Sequence, residues 1–73
     1  MHNPKEMPES YFELLRRHQV QKKTGLSRSG IYAAIREKTF PKPVKIGSRA
    51  VAWRKNEVDR WIFSRKPTKG EGE

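Results

Sequence analysis

The chain has 73 residues, no cysteine, and 17 Lys and Arg against 8 Asp and Glu, a formal net charge of +9. That length fits one small domain with a limited core, too little chain for a roomy substrate pocket beside a second regulatory domain. The lack of cysteine excludes disulfides and thiolate metal sites, no apolar run approaches a membrane-spanning length, and the polar start Met1-His2-Asn3-Pro4-Lys5-Glu6 is not a signal peptide, so a cytoplasmic protein is expected.

Residues 1–10 carry Pro4 and Pro8 among polar residues and read as a flexible arm. Between 11 and 17 the apolar pair Leu14 and Leu15 fits a short strand or a turn of helix equally well. A short helix is predicted over 18–23, with Val20 inward. Thr24-Gly25 ends it, because Gly25 permits a positive φ. Leu26 then plugs the gap between two helices. Ser27 offers a side-chain oxygen that can accept a backbone N–H and start the next helix. That helix is predicted over 27–38, with Ile31, Ala34 and Ile35 inward; Gly30 within it costs about 1 kcal/mol against Ala.

Phe40-Pro41-Lys42-Pro43 forbids further helix, and Phe40 is expected to fold back as a core plug. From 44 to 54 the period changes to two. Val44 and Ile46 alternate around Lys45, and Val51 and Trp53 around Ala52, which predicts a two-stranded ribbon with one apolar face. Gly47-Ser48-Arg49 is its turn, with Gly47 supplying an unusual backbone angle. An isolated hairpin is marginal in water, so its apolar face must rest on the helices. A third helix over 55–64 shows the stripe Val58, Trp61, Ile62, with Phe63 at its edge. Residues 66–73 read as a disordered tail, which leaves a domain over 11–65. The predicted class is mainly α with a small β-hairpin, a winged helix-turn-helix.

The charge is concentrated in this domain. Residues 14–66 hold 15 Lys and Arg against Glu37, Glu57 and Asp59, a local balance of +12 between two acidic ends. A basic domain of this kind suits a polyanion, above all double-stranded DNA. In a winged helix-turn-helix the second helix enters the major groove, and the wing meets a phosphate backbone or the minor groove. Arg28 and Ser29 start that helix, where side chains reach base edges; Arg suits guanine through two hydrogen bonds. Tyr32 fits a phosphate or thymine contact and, equally, a half-buried core position. Arg36 fits a phosphate. Lys45, Ser48 and Arg49 belong to the wing. Lys22 and Lys23 end the first helix, where phosphate contact and favourable placement at a helix C-terminus are equal readings.

Catalysis finds no support. His2 and His18 belong to no constellation, and Glu57 and Asp59, two apart, do not share a helix face. No converging metal ligands and no Gly-rich phosphate loop occur, so no enzyme, cofactor or metal is expected. Trp53 and Trp61 sit on apolar stripes and read as core; without a basic sheet of interleaved aromatics, RNA is a weak reading.

Three ordered blocks, Thr24-Gly-Leu-Ser-Arg-Ser-Gly-Ile-Tyr32, Phe40-Pro-Lys-Pro-Val-Lys-Ile-Gly-Ser-Arg-Ala-Val-Ala-Trp53 and Asn56-Glu-Val-Asp-Arg-Trp-Ile62, resemble the AlpA family. These are phage- and prophage-type DNA-binding regulators related to excisionases and to the DNA-binding domain of MerR-type regulators. The resemblance covers about Leu14 to Ile62. It implies a winged-helix fold, sequence-specific DNA binding, and control of transcription or prophage excision. Three features depart from the family's pattern. Gly30 stands where a larger residue, often Thr, is usual. Arg17 and His18 stand where an apolar residue and Pro are common. The arm over 1–10 has no counterpart. Expected partners are double-stranded DNA, further copies on adjacent sites, and an integrase or RNA polymerase. The alternatives are an excisionase-like DNA-bending factor and a protein-interaction module that inhibits an acidic partner.

Overall fold

A computed structural model describes residues 12–68; the expected arm over 1–10, Tyr11, and 69–73 of the expected tail lie outside the described residues. In chain order the elements are β1 (Leu14–Leu15), α1 (Arg17–Thr24), α2 (Arg28–Arg36), β2 (Val44–Lys45), β3 (Val51–Arg54) and α3 (Lys55–Phe63).

Local chemistry sets the helix ends. At the start of α1 the Gln19 carboxamide reaches back and accepts from the Arg16 N–H at 2.7 Å, the return half of a capping box. Gly25 closes α1 at φ 80°, its N–H bonded to the Gln21 carbonyl at 2.8 Å. The Thr24 hydroxyl donates to the Val20 carbonyl at 2.7 Å and accepts from the Leu26 N–H at 3.2 Å, so one side chain binds helix end to turn. Ser27 caps α2 by accepting the Gly30 N–H at 3.0 Å. The helix stops at Arg36, two residues before the predicted end. There the Lys38 N–H bonds the Ile35 carbonyl at 3.0 Å and the Thr39 N–H bonds the Ala34 carbonyl at 2.9 Å, a Schellman closure with Lys38 at φ 63°.

The sheet is larger than the predicted ribbon. The pair Leu14 and Leu15 forms a third strand, and the order β1-β3-β2 places β3 at the centre, antiparallel to both neighbours. Leu15 lies opposite Trp53, Lys45 opposite Val51, and Val44 opposite Ala52. Opposed residues share a face. Val44 therefore shares the Ala52 face, not that of Val51 and Trp53, and Ile46 is 44% exposed. The single apolar face predicted for the hairpin is thus replaced by a central strand covered on both sides, with Ala52 and Trp53 both fully buried. Gly47 does not adopt a positive φ. The Ile46 N–H bonds the Ala50 carbonyl at 2.9 Å, and the three residues between them are enough to reverse the chain with ordinary backbone angles.

Val20, Ile31, Phe40, Trp53 and Val58 form the core, with Leu15, Leu26, Ala34, Ile35, Trp61 and Ile62 packed around it. Phe40 is the plug the sequence predicts. Trp61 lies edge-on to it, ring centroids 5.0 Å apart. The two indoles hold the backbone on either side of Phe40: Trp61 Nε1 donates to the Thr39 carbonyl at 2.8 Å and Trp53 Nε1 to the Pro41 carbonyl at 3.0 Å. Phe63, by contrast, is 91% exposed.

One ionic cluster ties the outer elements together. Asp59 on α3 meets Lys23 of α1 at 3.0 Å and Lys55 at 2.9 Å, and Lys55 lies 3.8 Å from Glu13. Burial pushes the Asp59 carboxyl up, but hydrogen bonds and charge from Lys55 and Lys23 outweigh it and hold the group below the usual carboxylate range. The hydrogen bond to Asp59, with its charge, pushes the Lys55 ammonium above its ordinary value.

Two outcomes follow. Lysine in the left-handed region costs on the order of 1 kcal/mol relative to glycine, so Lys38→Gly raises the midpoint of urea unfolding; an unchanged or lower midpoint contradicts the strain. A depressed folded-state carboxyl stabilises the fold above its unfolded value of about 3.9, and that stability is lost as pH falls through the folded value. Asp59→Asn is therefore less stable than the parent at pH 7, by below about 1 kcal/mol because Asp59 and Lys23 are more than a third exposed and screened. The two urea midpoints converge as the pH falls below the usual carboxylate range; parallel curves contradict the assignment.

Candidate nucleic-acid interface

The helix-turn-helix is fixed by three residues. Gly25, Leu26 and Ser27 separate α1 from α2, with Leu26 packed on the core. The first turn of α2 then stands in solvent: Arg28 and Ser29 are both exposed. Ser29 is partly engaged, its hydroxyl 3.3 Å from that of Ser27. Gly30 explains how the cap closes. A methyl group built there would lie 3.2 Å from Ser27 Oγ and 3.9 Å from Leu26, so any larger residue must move the capping serine slightly.

A polar cleft of about 460 Å³ opens beside this motif. Arg16, Arg17 and His18 line it from the start of α1, Tyr32 from α2, and Arg49 with Val51 from the hairpin. Tyr32 is half-buried, its ring edge-on to Trp53 at 6.2 Å, so it serves the core and the cleft wall at once. Arg17 is steadied by a hydrogen bond from Nε to Gln21 Oε1 at 3.1 Å. No acidic residue lies in the first turn of α1, whose N–H groups precede the intrahelical ladder. Three guanidinium groups, a histidine and a helix N-terminus converge here, an arrangement that attracts an anion.

Of the predicted site residues, the cleft brings together Tyr32 and Arg49. Arg28, Ser29, Arg36, Lys22, Lys45 and Ser48 are exposed outside its lining. Lys23, also exposed, pairs with Asp59 of α3 at 3.0 Å, a partner that the sequence reading did not foresee. Sequence reasoning missed Arg16, Arg17 and His18 as site residues. Their signal was present as three consecutive basic or titratable residues at a helix start, two of them at positions where the chain departs from the family pattern. Among the described residues no group of His, Asp or Glu is placed to hold a metal ion, and no helix is long and apolar enough to cross a membrane.

Three helices on a three-stranded antiparallel sheet, with a helix-turn-helix and a hairpin wing, define a small winged helix-turn-helix domain. The model of the family described as prophage CP4-57 regulatory protein (AlpA) matches residues 13–66, and the chain belongs to that family, one of regulators rather than enzymes. It is 45% identical over 51 residues to the uncharacterized protein ORF88 of Enterobacteria phage P4, an alignment spanning 70% of this chain and 58% of that protein. It is 36% identical over 62 residues to the DNA-binding transcriptional activator AlpA of Escherichia coli K12, covering 77% of this chain and 89% of that protein. No solved structure matches the chain.

Proposed function

We propose that the chain is a sequence-specific double-stranded DNA binder that regulates transcription from phage- or prophage-type sites. The observation that carries this reading is the convergence of Arg16, Arg17 and Arg49 with Tyr32 of α2 on one polar cleft. Membership of the AlpA family supports it, as does similarity to a relative described as a DNA-binding transcriptional activator.

The division of labour follows from chemistry. A phosphate seated in the cleft meets the guanidinium groups and the free N–H groups of α1, which fixes register without reading sequence. Arg28, projecting from the capped start of α2, offers a guanidinium fork to a guanine edge, with Ser29 beside it. Arg36, Lys22, Lys45 and Ser48 supply outer phosphate contacts, and the charge of the three cations makes binding salt-dependent. One module of this size covers a short footprint, so tight occupancy draws on several copies at adjacent sites.

Duplex binding measured across a salt series separates these roles. Arg28→Ala costs about 1–3 kcal/mol on the preferred site and relaxes selectivity at one position. Arg17→Ala and Arg49→Ala weaken all duplexes alike and reduce the slope of log affinity against log salt by about 1 each. An unchanged ratio of site to random-duplex affinity in Arg28→Ala overturns the assignment of base reading to that residue.

A further inference from the structure

A second cleft, of about 430 Å³, shares no residue with the first and has the opposite chemistry. The first is lined mainly by polar atoms, whereas this one is mainly apolar. It lies between α3 and the segment that joins α2 to β2. Pro41 and Trp61 give it an apolar surface, and Arg60, Arg65 and Glu57 supply its charges. We propose that this groove is a docking site for a partner protein, taking an acidic segment that carries an apolar side chain.

Three observations select that occupant. First, the groove is held ready. Trp61 is fixed by its bond to the Thr39 carbonyl at 2.8 Å and by Phe40 at 5.0 Å. The Arg65 guanidinium lies 4.4 Å from the Trp61 ring centroid, and its Nε donates to the Trp61 carbonyl at 3.2 Å. A cation already placed over an aromatic ring loses little freedom when it meets a carboxylate. Second, the same guanidinium covers a face of the indole, which obstructs base stacking and argues against nucleic acid in this groove. Third, charge decides between protein partners. Two arginines outnumber Glu57 in the lining, and residues 14–66 carry +12, so the basic domain of a second copy is repelled while an acidic segment is attracted. The chain's own residues 66–73 hold Glu71 and Glu73 but no large apolar side chain to fill the space.

The full chain is titrated with a synthetic 12-residue peptide of Glu and Asp around one central leucine, and with a control in which serine replaces the leucine. Amide and indole resonances are followed by NMR. The indole N–H of Trp61 shifts on titration, while that of Trp53, buried in the core, reports that the fold is intact. Arg60→Ala and Arg65→Ala each raise the dissociation constant about threefold or more, Glu57→Gln lowers it, and duplex DNA affinity stays unchanged in all three. The serine control binds more weakly. The proposal is overturned if the Trp61 indole does not move, if both peptides bind equally, or if Arg60→Ala or Arg65→Ala weakens duplex binding as much as Arg17→Ala does.

Discussion

The structure depends on how the segment from Thr39 to Pro41 is held between two tryptophans. Phe40 fills the core, and indole N–H groups bond the carbonyls on either side of it, from α3 through Trp61 and from the sheet through Trp53. Each bond contributes only about 1 kcal/mol net, but together they pin the chain on both sides of Phe40. The constraint also sets geometry. This segment leaves α2 and leads directly into β2, so fixing it fixes α2 relative to the hairpin. Tyr32 completes the link: its ring rests on Trp53 inside and its edge forms part of the cleft outside. The spacing between Arg49 on the hairpin and Arg16 and Arg17 on α1 is thus a consequence of core packing.

Stability and charge distribution are related in the same way. Only three acidic residues sit among 15 Lys and Arg between 14 and 66. One of them, Asp59, is placed where it holds α1 to α3 through Lys23 and Lys55. The opposite end of α1 is entered through Arg16, Arg17 and His18 and has no acid in its first turn. Pairing Lys23 near one end of α1 while the other end has no acid concentrates positive potential at the cleft, an arrangement that suits a polyanion.

Much of this was legible in the residues. Gly25, Leu26 and Ser27 announced the turn and the second helix because each has a distinct backbone or capping role. The Val58, Trp61, Ile62 stripe gave α3, and Phe40 before two prolines could only be a plug. The hairpin was legible as a hairpin but not in register. Alternation between 44 and 54 does not reveal that a third strand, Leu14–Leu15, joins from a distant segment and pairs along the other edge of β3. The end of α2 was misplaced because Lys38 takes a left-handed conformation that its side chain does not advertise. The site was half legible. Arg49 and Tyr32 followed from the wing and the reading helix, whereas Arg16, Arg17 and His18 reach the cleft only because the fold brings the start of α1 beside the hairpin.

The central claim is that this scaffold reads duplex sequence and does not merely adhere to charge. Selection of bound fragments from a random duplex pool by the full chain, at about 150 mM salt where non-specific attraction is reduced, addresses it directly. The account predicts enrichment of one short motif, repeated in the fragments that bind most tightly. Recovery of the pool without any enriched motif would contradict it.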